Sequence, residues 1–122
     1  KILQVLLEAK AQVNMGSGEG PTALHLAAFS GRANACKMLL EAKALPDQAE
    51  HERGQTALIL AARGGHAHVA SLLLGSKASV NQADSIDGMT ALLWSLEGPL
   101  VLVEALLAAK VRTRKIKKKM WV

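Results

Sequence analysis

A nine-residue pattern occurs three times at a constant interval, and this internal repeat constrains the fold more than any other feature of the chain. It begins at Gly20, Gly54 and Gly88, so the interval is 34 residues both times (20 to 54 and 54 to 88). It reads Gly-Pro-Thr-Ala-Leu-His-Leu-Ala-Ala, then Gly-Gln-Thr-Ala-Leu-Ile-Leu-Ala-Ala, then Gly-Met-Thr-Ala-Leu-Leu-Trp-Ser-Leu. Repetition at this length predicts a row of similar supersecondary units, each stabilised by its neighbours.

Each unit is predicted to contain two short helices. The threonines of the pattern (Thr22, Thr56 and Thr90) can cap the first helix, and a leucine-rich run ending in Lys-Ala, at 38–44 and 72–78, forms the second. A similar run at 5–11 indicates that the chain opens midway through a unit. Gly31 and Gly65 mark the turn between the helices. Helices this short are marginal in water, so each must pack against a neighbour.

This pattern resembles the ankyrin repeat, whose units carry a Gly-x-Thr-Pro-Leu-His-x-Ala-Ala stretch, a Gly-His turn and a leucine-rich second helix. Residues 54–81 match nearly throughout, including Gly65-His66 and Val80-Asn81. The resemblance implies an all-α helical repeat solenoid of helix-turn-helix units, with hairpin fingers along one edge. It divides the chain into the second half of a truncated first repeat, two repeats, a degenerate C-terminal capping repeat and a basic tail: 1–14, 15–47, 48–81, 82–111 and 112–122.

Several departures from the family pattern carry expectations of their own. Lys10, Lys43 and Lys77 stand where the family has glycine. Either each lysine adopts a left-handed backbone, at a cost of about 1 kcal/mol relative to glycine, or the turn differs. With Lys110 they are expected to form a ladder along one edge. In the last unit Leu96 replaces a small alanine, which predicts the end of the stack, with Trp94 covering the exposed core.

The resemblance also implies where partners bind, because ankyrin-like modules usually use their finger tips and the concave face of the first helices. Matched residue by residue, the strongest candidates for protein contact are Phe29, Glu52, Arg53, Gln55, Arg63 and Met89. Phe29 has an alternative role, packing against its neighbouring finger. The leading hypothesis is a non-enzymatic protein–protein interaction module, a scaffold or adaptor.

The charge of +5 is unevenly distributed, because six of the fifteen Lys and Arg residues lie between 112 and 119. The rest of the chain has nine basic and ten acidic residues, so it carries almost no net charge. It therefore does not resemble a nucleic-acid-binding domain, which would be basic. The fingers hold most of the acids, including Glu19, Asp47, Glu50 and Asp84. In one interpretation these charges are simply solvated. In the other they form the acidic face and the basic face of a two-sided adaptor.

The basic tail is the basis of a second functional hypothesis. Its candidate anchor residues are basic or aromatic: Arg112, Arg114, Lys115, Lys117, Lys118, Lys119 and Trp121. The tail is either a solvated extension or an anchor on an anionic membrane, RNA or an acidic protein. In the second case the chain would be a structural subunit of a larger assembly.

Catalytic and metal chemistry find little support in the sequence. The single cysteine, Cys36, excludes an internal disulfide and falls at an inward helical position, which predicts an inert thiol typical of a reducing intracellular compartment. His66 and His68 are two residues apart and would point to different faces of a helix, a poor metal pair. We therefore predict no catalytic residue, metal, cofactor or small-molecule substrate.

Overall fold

The computed structural model describes residues 21–85 and 87–121, with side chains as far as residue 111, and shows a stack of helix pairs. The helices in these ranges are α1 (Ala23–Phe29), α2 (Ala33–Glu41), α3 (Ala57–Gly64), α4 (Ala67–Gly75), α5 (Ala91–Ser95) and α6 (Leu100–Trp121). The first helices α1, α3 and α5 pack in one row, and the second helices α2, α4 and α6 pack in another. The described residues include an isolated antiparallel bridge between Ala83 and Thr90 but no β-strand. The predicted all-α repeat solenoid is confirmed.

Threonine side chains start all three first helices, as the sequence predicts. Thr22, Thr56 and Thr90 each have an extended backbone, and their hydroxyl oxygens accept hydrogen bonds from backbone N–H groups three residues later. The donor–acceptor distances are 3.4, 3.3 and 3.4 Å. A cap of this kind contributes about 1 kcal/mol, which matters for helices of five to eight residues.

Two lysines end second helices in the left-handed backbone conformation. Lys43 has φ 74° and Lys77 has φ 66°, in the place that the family gives to glycine. Of the two turns that the sequence allowed, the left-handed one is therefore present, and each lysine costs about 1 kcal/mol relative to glycine. Lys10 lies outside the described residues.

Lys110 does not share the left-handed turn of Lys43 and Lys77, and the predicted ladder along one edge stays a prediction. Helix α6 passes through Lys110 and runs on to Trp121. The physical reason is local, because no glycine or proline follows Lys110 to break the helix. Consequently no helix end marks the predicted boundary between residues 111 and 112, and the division of the chain into repeats stays a prediction.

The core lies between the two rows of helices and is built mainly from leucine and alanine. Small side chains at Ala28 and Ala62 are buried where neighbouring first helices approach each other. Cys36 is also fully buried, and burial raises the pKa of its thiol to about 11. A thiol with this pKa is almost entirely protonated at neutral pH, which agrees with the predicted inert core cysteine.

The last helix pair exposes an apolar surface that we call the end face, formed by Leu93, Leu96 and Leu100. Leu93 and Leu96 correspond to positions that are buried in the preceding repeat. Ile59 is 1% exposed, whereas Leu93, 34 residues later, is 45% exposed; the same comparison gives 2% for Ala62 and 63% for Leu96. Trp94 is half-buried and packs against the core, as expected, and its ring also contacts the guanidinium group of Arg63.

His25 joins two layers of the stack through both nitrogens of its ring. Its Nε2–H donates to the carbonyl of Gln48 at 2.7 Å, so Nδ1 is the acceptor, at 2.9 Å from both the backbone N and the Oγ1 of Thr22. The geometry requires a neutral imidazole. Burial is the main reason why the pKa of His25 lies below 6.5, and it outweighs the hydrogen bond to Gln48 and the charge of Glu50, which raise it.

Acidification below pH 6.5 is expected to destabilise the protein through His25. The unfolded chain binds a proton there before the folded chain does, so the free energy of unfolding falls as pH drops through the lowered folded pKa. For one proton the slope is at most about 1.4 kcal/mol per pH unit. Urea unfolding at several pH values between about 7.5 and 5 measures this slope.

The His25→Gln variant should lose part of that pH dependence, although it is less stable at neutral pH. His68→Gln is the matched control, because His68 is exposed on α4, and it should keep the wild-type slope. An unchanged slope in the His25 variant would contradict this account.

Candidate functional site

The concave side of the stack contains a groove of about 320 Å³ between helices α1 and α3 and the loop 50–55 that precedes α3. Its apolar wall consists of Pro21, Leu26, Phe29 and Leu60. Leu26 is 59% exposed and Phe29 is 47% exposed, although both belong to a well-packed helix. Phe29 therefore lines the groove, and its contact with a partner stays a prediction. Exposed aromatic and aliphatic side chains beside a cleft are typical of a binding surface.

The polar wall of the groove comes from α3, its preceding loop and one residue of α1. It consists of His25, Glu50, Glu52, Arg53, Gln55 and Arg63. Two arginines and two glutamates thus share one cavity, so its charge is mixed. The groove has the composition of a protein-interaction patch, with an apolar centre and charged residues around it.

Arg63 is held in place by neighbours from three repeats. Its guanidinium carbon lies 5.5 Å from the centre of the Phe29 ring and 4.9 Å from that of the Trp94 ring. These distances are within the range of a cation–π interaction. In addition, its Nη1 donates a hydrogen bond to Oε1 of Gln55 at 2.7 Å. The arginine is therefore oriented before any partner arrives.

Gln55 connects Arg63 to a buried carboxylate in the next finger. The side chain of Gln55 is 2% exposed, and its Nε2 donates to Oδ2 of Asp84 at 3.2 Å. The indole Nε1 of Trp94 donates to the same oxygen at 3.3 Å. Gln55 is thus a buried residue that links Arg63 to Asp84, and its predicted contact with a partner stays a prediction.

Asp84 is the centre of this network and is buried. Desolvation by itself would raise the pKa of its carboxyl group. Hydrogen bonds from the backbone N–H of Met89, the amide of Gln55, the backbone N–H of Asp87 and the indole of Trp94 outweigh desolvation and hold the pKa below its ordinary value. Asp84 therefore stays ionised at neutral pH, and one side chain fixes both the finger and the arginine.

The acidic finger edge that the sequence predicts is weaker than the number of carboxylates suggests. Glu50 accepts hydrogen bonds from the backbone N–H groups of three residues in its own loop, 52, 53 and 55. Asp47 accepts a hydrogen bond from the backbone N–H of Ser79 at 2.6 Å. Asp84 accepts hydrogen bonds from the backbone N–H groups of Asp87 and Met89. These acids shape the loops, whereas Glu52 and Asp87 remain exposed on the surface. Glu19 lies outside the described residues.

The predicted partner-contact residues can now be placed. Five of them line the one groove: Phe29, Glu52, Arg53, Gln55 and Arg63. Met89 does not line it and is half-buried in the last finger, where its backbone bonds to Asp84. The sequence analysis missed Leu26 and Leu60 as groove residues and Trp94 as a neighbour of Arg63. The signal was present, since Leu26, Leu60 and Trp94 occupy the same position in successive repeats.

Other predicted features have no site around them in the described part of the chain. The side chains of the candidate tail anchors, residues 112–121, lie outside that part, although their backbone continues α6. No cluster of His, Cys, Asp or Glu suited to a metal ion occurs among the described residues. Within the same residues, no helix has the length and apolar character needed to span a membrane.

Comparison with known families agrees with this architecture. A family model described as ankyrin repeats (3 copies) matches residues 43–117, which is more than half of the chain. The chain belongs to the ankyrin repeat family. A second model, ankyrin repeats (many copies), matches residues 1–40. No curated protein matches the chain significantly. Ankyrin repeats generally mediate protein–protein interactions, and proteins built from them are typically non-enzymatic.

Proposed function

We propose that this ankyrin repeat protein is a non-enzymatic scaffold or adaptor that binds a protein partner in the groove between α1 and α3. The observation that carries the proposal is the pair of exposed apolar side chains, Leu26 and Phe29, beside the oriented guanidinium group of Arg63. Aromatic and arginine side chains provide much of the binding energy of protein interfaces.

The rigidity of the groove also supports the proposal. A partner that binds flexible side chains must first order them, which costs free energy. Here the hydrogen bonds between Arg63, Gln55 and Asp84 already supply that order within the folded chain. A partner therefore meets a surface with a defined shape and a defined position of positive charge.

Photocrosslinking followed by affinity measurement tests the proposal. A photoreactive benzoylphenylalanine in place of Leu26 should capture a protein from native extract, whereas the same group in place of the exposed Leu107 on α6 should not capture it. The captured partner is then purified and its affinity for variants is measured. Phe29→Ala and Arg63→Glu should weaken binding about tenfold or more, and neither should greatly change the thermal midpoint.

Two controls match these variants in chemistry but lie outside the groove. Leu107→Ala removes an apolar side chain about as exposed as Phe29, and Arg32→Glu reverses the charge of an exposed arginine. Both should keep wild-type affinity. Unaltered affinity in both groove variants would remove the groove from consideration.

The alternative hypothesis, a structural subunit anchored by the basic tail, has no support in the family matches or in the described residues. It depends on side chains between 112 and 122 that the structure does not describe. A contact with membrane or RNA is therefore not proposed.

A further inference from the structure

Arg63 has hydrogen-bonding capacity that the described part of the chain leaves unused. A guanidinium group has five N–H donors, and Gln55 accepts one hydrogen bond from Nη1. None of the described carboxylates lies within ion-pair distance of Arg63. Two of them, Glu50 and Glu52, nevertheless line the same groove. The arginine is thus fixed in position, and the described residues supply no anionic partner for it.

The environment of Arg63 restricts how a ligand can approach. Phe29 comes from the preceding first helix and Trp94 from the following one, and both rings lie within cation–π distance. The two rings occupy space beside the guanidinium group, and its remaining N–H donors lie along its edge, where a ligand can accept from them. The edge of a guanidinium group matches a planar carboxylate, which can accept two parallel hydrogen bonds.

The charges around the groove favour a monoanion over a phosphate group. Glu50 and Glu52 stand beside Arg53 and Arg63, so the groove offers no cluster of unopposed cations. Phosphate groups carry close to two negative charges at neutral pH and usually require such a cluster. A single carboxylate next to Arg63 carries one negative charge, so it needs fewer cations around it than a phosphate group does.

The apolar wall indicates what must accompany that carboxylate. Leu26 and Phe29 are exposed in the groove on the side opposite the loop 50–55. An aliphatic or aromatic side chain placed between them would bury apolar surface that is now in water, at about 25 cal/mol for each Å². A peptide segment that carries an acidic residue beside an apolar one supplies both contacts.

We infer that the groove recognises a segment of a partner protein in which an Asp or Glu carboxylate pairs with Arg63 while an adjacent apolar side chain packs on Leu26 and Phe29. This inference rests on the proposed function and adds the chemistry of the partner. Arg63 and Phe29 contact the ligand directly, and Gln55 and Asp84 are positioning residues.

The test uses the whole chain and defined peptides. A random peptide library is selected on the immobilised protein, and selected peptides are kept if Phe29→Ala weakens them. The peptides kept should be enriched in an acidic residue beside an aliphatic or aromatic one. For one such peptide, replacing the acidic residue by its amide should weaken binding about tenfold.

A double-mutant cycle then assigns the carboxylate to Arg63. With Arg63→Gln, the acidic peptide and its amide form should bind within about twofold of each other. Arg32→Gln, at an exposed arginine outside the groove, is the matched control and should retain the preference for the acidic peptide. Glu52→Gln should act in the opposite direction and tighten the acidic peptide, because it removes a negative charge from the groove.

The outcomes separate the two proposals. A library without a single binder that depends on Phe29 counts against both the groove and its ligand. Binders that depend on Phe29 but bind equally well as acid and amide would support the groove and overturn the carboxylate. Peptides that bind only when phosphorylated, or a cycle without coupling to Arg63, would overturn it as well.

Discussion

Asp84→Ala is expected to lower the free energy of unfolding by about 3 kcal/mol, although the residue lies in a surface finger. Four donors converge on its carboxylate, two from the backbone of the finger and two from the side chains of Gln55 and Trp94. Removing the carboxylate would leave these donors without an acceptor in a poorly solvated place. Such a loss costs more than that of an ordinary surface charge. Urea unfolding at neutral pH measures the change.

Asp87→Ala is the matched control for this variant. Asp87 belongs to the same finger and has the same side chain, but its side chain is exposed. Its replacement should change the free energy of unfolding by no more than about 0.5 kcal/mol. Equal costs for the two variants would contradict the central role of Asp84.

Acid titration provides a second readout of Asp84. Because the folded pKa of its carboxyl group is lowered, the unfolded chain takes up the proton first as pH falls. The stability that Asp84 contributes is present above its ordinary pKa of about 3.9 and is lost below it. The loss should be smaller in Asp84→Ala than in the wild type.

The helices could be predicted from the sequence because the information that specifies them is local. Each unit carries its own capping threonine, its own glycine turn and its own apolar run, and the 34-residue interval places the units side by side. Stacking then follows, since no helix of this length is stable without a neighbour. The row of helix pairs therefore follows from the chain itself, whereas the arrangement as a solenoid with fingers is what the resemblance to the ankyrin repeat implied.

The network around Arg63 could be anticipated only in part. The repeat register places Phe29 and Arg63 in equivalent positions of neighbouring units, which made both of them candidates. The burial of Gln55 and its bond to Asp84 depend on how two fingers pack, and no local pattern encodes that packing. Sequence reasoning counted Asp84 as a surface charge because a charge shows in the sequence and its burial does not.

The backbone at Lys110 differs from that of the corresponding lysines in the preceding repeats. Lys43 and Lys77 follow their helices in a left-handed conformation, whereas Lys110 lies inside α6. The last unit is one residue shorter before its lysine, and the residues after Lys110 contain no glycine or proline. Helix propensity therefore outweighs the repeat pattern at this end of the chain.

Ile59→Ala and Leu93→Ala should have very different effects, although the two residues occupy the same position in neighbouring repeats. Ile59 is covered by α5 and its repeat, so its truncation leaves a cavity and should cost about 3 kcal/mol. Leu93 lies on the end face with nearly half of its surface in water. Its truncation should cost less than about 1 kcal/mol. Urea unfolding at low protein concentration compares the two variants.

The comparison also reports whether the end face stays uncovered in solution. In an isolated stack, each repeat gains stability only from the repeats that it contacts, so the cost of Leu93→Ala should not depend on protein concentration. A cost that rises with concentration toward that of Ile59→Ala would show that another copy of the chain covers Leu93. Equal costs at every concentration would instead contradict the exposed position of Leu93 in the last helix pair. The difference between the two truncations therefore measures how much one further layer contributes to the stability of this stack.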